Sequence, residues 1–152
     1  MGLRDQIPED IKTALRGKKS LDLMVLRMLQ SAIKNREIDN KGELGDEDII
    51  LVVSSEIKKR RDSIEEFKKV GRDDAAETEQ LEIDVLMIYM PEQLSEDDVA
   101  AKVAELVAES GAKSLKDLGV AMKIVMPALK GKADGKLINK YVRQQLEKLE
   151  QG

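Results

Sequence analysis

The sequence predicts an all-α protein: an N-terminal helical domain of about four helices followed by a C-terminal three-helix tail domain. Three observations predict it. Apolar residues recur at three- and four-residue spacing, and strand-like alternation is absent. Strong helix formers dominate, while aromatics number three, Phe67, Tyr89 and Tyr141. Glycines, prolines and capping residues then cut the chain into helix-length pieces.

The first piece carries Leu3, Ile7, Ile11 and Leu15 and fades at Gly17. Pro8 suits only a first turn, so the regular part is expected to start near Ile7. Ser20 is a candidate cap for "LDLMVLRMLQSAIKNREID", which is apolar on most sides between Leu21 and Leu29. "NKGELGD" interrupts it, and Asp46 is a candidate cap for a long third helix with Ile49, Val53, Ile57, Ile64 and Phe67 inward. Gly71 fits a left-handed stop. A fourth helix runs from about Asp73 to Tyr89 and ends before Pro91.

"MPEQLSEDD" marks the expected boundary between domains at 1–91 and 95–152. Ser95, followed by three acids, opens a helix with Val99, Val103, Leu106 and Val107 on one face, closed by Gly111. Ser114 with Asp117 is the next candidate cap, and Pro127 should end or bend the helix it opens. The last helix begins near Asp134. Its wheel turns Leu137, Ile138, Tyr141, Val142 and Leu149 inward and leaves Leu146 nearer the margin. Met24, Met28, Met87, Met90, Met122 and Met126 sit at core spacing.

Composition excludes much chemistry. The 152 residues contain neither cysteine nor histidine. That removes disulfides, thiolate nucleophiles, thiolate metal sites and the commonest general base. No cofactor, no metal and no catalytic residue is expected; any metal would be a hard cation on carboxylate oxygens. No run approaches the roughly 20 apolar residues of a membrane helix. The amphipathic N-terminus lacks a secretory signal, so the expectation is a cytoplasmic protein without membrane contact.

The net charge of −4 is unevenly spread: residues 112–152 carry nine Lys or Arg against four Asp or Glu, while residues 1–111 balance to −9. The positive excess surrounds "LKGKADGKLINKYV". Gly131 and Gly135-Lys136 imitate part of a phosphate loop, but the spacing is short, Leu137 replaces the magnesium-holding hydroxyl, and no strand precedes it. As a turn, Asp134 caps the last helix while Gly131 and Gly135 let the backbone fold tightly. The lysines need another reason, since a helix N-terminus favours anions. Lys136, Lys140 and Arg143 share one arc of the last helix, extended by Lys130, Lys132 and Lys123. A cationic stripe beside free helix amides suits a phosphate backbone; the plain alternative is a solvated face, and Glu147 and Glu150 return acids to that arc. The run Lys58–Arg61 is flanked by Glu56, Asp62, Glu65 and Glu66, so local ion pairing is its expected use.

"LRMLQSAIKNREID", "EIKKRRDSIEEFKKVGRDDAAETEQLEIDVLMIYMPEQLSEDD" and "GVAMKIVMPALKGKADGKLINKYV" resemble the YqeY-type proteins over essentially the whole chain. The C-terminal segment is similar to the tail domain of the glutamine-dependent, tRNA-dependent amidotransferase. The tail pattern falls on Gly119, Met122, Lys123, Lys130, Gly131, Lys132 and Ala133, with Asp134-Gly135 where amidotransferase tails carry Asn-Pro. The resemblance implies a helical tRNA-contacting tail and association with an amidotransferase or synthetase complex. A label of carbon–nitrogen ligase with glutamine as amido-N-donor would then describe relatives or a complex, because this chain has no amidase segment and no catalytic body. The leading expectation is therefore binding of tRNA or another structured RNA. The competing one is a protein–protein adaptor built on the acidic N-terminal helices.

Overall fold

In a computed structural model, described for residues 2–152, seven α-helices follow one another: α1 (Leu3–Arg16), α2 (Ser20–Asn40), α3 (Asp46–Lys69), α4 (Asp73–Met87), α5 (Glu96–Ser110), α6 (Leu118–Leu129) and α7 (Gly135–Gln151). A short 3-10 turn, Leu115–Asp117, precedes α6. The all-α expectation holds, and no helix among the described residues is long and apolar enough to cross a membrane. The chain divides into two compact units, the first ending at Met90 and the second running Pro91–Gly152.

In the first unit, α1 to α4 bury a core centred on Ile7, Val25, Leu29, Ile49, Val53, Ile83 and Leu86. Helix α1 begins at Leu3, not near Ile7, with Pro8 inside it. Pro8 removes only the bond to the exposed Arg4 carbonyl, which water can take. Its buried positions are Ile7 and Ala14, and Leu15 is turned to solvent. Met24 and Met28 are also exposed, whereas Met87 and Met90 pack on the core.

Two expected caps serve elsewhere or not at all. Ser20 is the first residue of α2, behind Lys19, and makes no cap. The Asp46 carboxylate does not cap its own helix; it accepts from the Leu3 amide at 3.0 Å and so caps α1. Gly2 lets it approach, since a Cβ there would lie 2.9 Å from Asp46 Oδ1. Gly71 does stop its stretch in the left-handed conformation, at φ 73°.

One feature of this unit joins a locally expected pairing to a distant one that has no local signal in the sequence. Arg60 is buried and donates from Nε to Glu82 on α4 at 3.1 Å and from Nη1 to the Glu56 carbonyl at 3.0 Å. Glu56 in turn takes the exposed Lys59 at 2.9 Å. A second staple joins α1 to α2: Glu37 accepts from Arg4 Nε at 3.0 Å and from the Leu44 amide at 2.9 Å. Arg4 first, and the Leu44 amide next, hold this carboxyl below the usual glutamate value of 4.5.

Candidate nucleic-acid interface

The second unit is built around Val99, Val103 and Val107 of α5, Ala121, Val125 and Leu129 of α6, and Ile138, Val142 and Leu146 of α7. Ser95 caps α5 by accepting from the Asp98 amide at 3.2 Å. Ser114 makes no cap, and α6 starts only after the 3-10 turn. Asp117 accepts instead from the Lys113 amide at 2.9 Å. Pro127 lies within the last turn of α6, which continues to Leu129. Leu146 is fully buried and Leu149 is 42% exposed, the reverse of the ideal wheel. The wheel fixes a direction around the axis but not where a neighbouring helix ends, and α7 outruns its cover near Leu149.

The connection 130–134 is tied down by residues that sequence reasoning passed over. Gln93 donates from Nε2 to the Gly131 and Pro91 carbonyls, both at 2.8 Å. The Leu94 amide donates to the Lys132 carbonyl at 2.9 Å, and the Lys132 amide to the Leu129 carbonyl at 2.9 Å. Gly131 is buried at φ 80°, a conformation natural to glycine. Asp134 then accepts from the Lys136 amide at 3.3 Å and opens α7. A clamp of this kind depends on residues some 40 positions apart, and a lone glutamine in a linker carries no pattern that announces it.

Lys123, Lys130, Lys132, Lys136, Lys140 and Arg143 are all exposed. Lys123 stands on α6, Lys130 and Lys132 on the clamped connection, and Lys136, Lys140 and Arg143 on α7. The ammonium groups of Lys123, Lys130, Lys132 and Lys140 have no carboxylate within ion-pair distance among the described residues. Lys140 lies over the Tyr141 ring at 5.4 Å, and Arg143 donates from Nε to Asn139 at 2.8 Å. Neither contact neutralises a charge. Of the acids on the same helix, Glu150 accepts from the Leu115 amide at 2.8 Å and so serves the fold. Tyr141 packs on the core as expected but is only half-buried; its hydroxyl donates to Glu96 at 3.1 Å, which holds the phenol above its ordinary range. The arrangement can attract and orient polyanions.

Residues 4–146 match the family described as Yqey-like protein. The chain is similar to the protein named "Altered inheritance of mitochondria protein 41, mitochondrial" in three fungi. For Lachancea thermotolerans the identity is 39% over 106 residues, covering 68% of this chain and 57% of that protein. For Pyrenophora tritici-repentis it is 32% over 144 residues, covering 91% and 78%. For Saccharomyces cerevisiae it is 35% over 131 residues, covering 84% and 68%. Each of these relatives is named as a mitochondrial protein, which overturns the cytoplasmic expectation drawn from the N-terminus. With the family matched from helix α1 to Leu146 within α7, the chain belongs to the YqeY-like family.

Proposed function

We propose that the C-terminal unit binds the phosphate backbone of a structured RNA, of which tRNA is the class implied by its likeness to the amidotransferase tail. On this reading the protein accompanies amide-forming tRNA chemistry without catalysing it. One observation carries the reading: the exposed cations between Lys123 and Arg143 include four lysines without a carboxylate partner among the described residues. Ordered phosphates would supply the missing counter-charge, and the first-turn amides of α7 would add to it. Recognition would be of backbone and shape, since Tyr141 is engaged by Glu96 and few other aromatics exist for stacking.

The test is a fluorescence-polarisation titration of the full-length protein with total tRNA at several salt concentrations. Six phosphate contacts give a log–log slope of roughly −4 to −5. Affinity that ignores salt, or no binding at low salt, contradicts the proposal.

A further inference from the structure

Helix α4 has two apolar faces. Ile83 and Leu86 enter the core of the first unit. Leu81, Val85 and Ile88, the last just beyond the end of α4, are spaced four and three apart; Val85 is half-buried and also packs on the core, while Leu81 and Ile88 are 50% and 65% exposed. This row does not lie on a flat surface. It borders a cavity of about 460 Å3 between α1, α2 and α4, to which Ala14 and Leu21 add apolar surface.

Charge at this cavity is one-sided. Asp10 of α1, Asp22 of α2 and Asp84 of α4 line it against a single cation, Lys19. Asp84 accepts only from the neutral Gln80 side chain at 3.1 Å, and Asp22 has no partner among the described residues. The cavity is also braced. Tyr89, 4% exposed, donates its hydroxyl to Asp10 Oδ2 at 2.6 Å and pins the end of α4 to α1. A preformed apolar groove with uncompensated carboxylates at its margin suits an apolar ligand edged with positive charge.

We infer that this groove is a docking site for a cationic amphipathic helix of a partner protein, apolar side chains seated along Leu81, Val85 and Ile88 and flanking Lys or Arg meeting Asp22 and Asp84. The inference is independent of the RNA reading, because groove and stripe lie in different units. Helix-in-groove recognition needs an apolar row at three- and four-residue spacing, and α4 offers its complement.

The probe is a fluorescein-labelled helical peptide of about 18 residues with leucines on one face and lysines beside them, about five helical turns. Its controls are the same composition scrambled and a version with Glu for every Lys. The full-length protein should bind the amphipathic cationic peptide at least about tenfold more tightly than either control. Leu81→Ser and Ile88→Ser together should weaken binding about tenfold, and Asp22→Asn with Asp84→Asn about fivefold with a shallower salt dependence. All four positions lie at the groove margin, and unchanged circular-dichroism melting verifies that the variants fold. Equal binding of the scrambled peptide, or indifference to both pairs of substitutions, overturns the inference. Binding of the free fluorophore alone would make the groove a small-molecule site and overturns it equally.

Discussion

The two units use the same residue types for opposite ends. Residues 1–90 carry sixteen Lys or Arg against twenty Asp or Glu, and residues 91–152 carry ten against ten. Numbers alone would make the first unit the more charged and the second neutral. What differs is placement. In the first unit cations and acids alternate along and between helices, so Arg60 meets Glu82, Arg4 meets Glu37, and Lys69 meets Glu66. In the second, six of the ten acids fall within residues 92–109 and nine of the ten cations within residues 113–148. Several charges of the first unit are paired across or along its helices, Arg60 with Glu82 and Arg4 with Glu37 among them, whereas Lys123, Lys130, Lys132 and Lys140 of the second face solvent without a carboxylate partner among the described residues. Segregation along the chain, rather than net charge, separates a structural ion pair from a binding surface.

The comparison breaks most visibly at Arg60. Arg60→Ala would leave Glu82 and Glu56 buried without their guanidinium. Losing one partner of a buried pair costs about 3–5 kcal/mol, and urea unfolding should show that loss. A change below about 1 kcal/mol would mean that water or rearrangement relieves the pair.

Leu146 and Leu149 give the apolar counterpart within α7. Leu146→Ala should destabilise by about 2–5 kcal/mol. Leu149→Ala should cost under about 0.5 kcal/mol. Equal losses would contradict the placement of the two side chains.

A smaller effect is read from acid titration of the Arg4–Glu37 staple. The folded protein holds the Glu37 carboxyl below 4.5, so the staple stabilises above that pH and is lost as pH falls through the lowered value. Glu37→Gln should therefore be less stable than the parent near neutrality and approach it in strong acid. A constant difference across pH would remove the charge from the account.

The sequence made the helices legible because their periodicity is local: Val99, Val103, Leu106 and Val107, and the Ser95 and Asp134 caps, sit as read. It failed where a residue answers to something distant in the chain. Asp46 looks like a cap for its own helix and caps α1, 43 residues away. Arg60 pairs locally with Glu56, as its run suggests, but also reaches 22 residues to Glu82, which nothing local announces. Met24 and Met28 have core spacing, yet both are exposed, and Met28 meets the Arg60 guanidinium of α3 at 3.9 Å instead of the core. At the candidate interface the cations were legible from spacing. The Gln93 clamp that fixes their loop was not, since a single amide in a linker has no periodic signature.

The most direct test of the central claim concerns charges that the fold does not need. Lys132→Ala, Lys140→Ala and Arg143→Ala would be combined in one protein, and its thermal unfolding and tRNA-binding salt slope measured side by side. The account predicts unchanged unfolding and a salt slope shallower by about 2 to 3. A slope equal to the parent's, or a marked loss of stability, would contradict it.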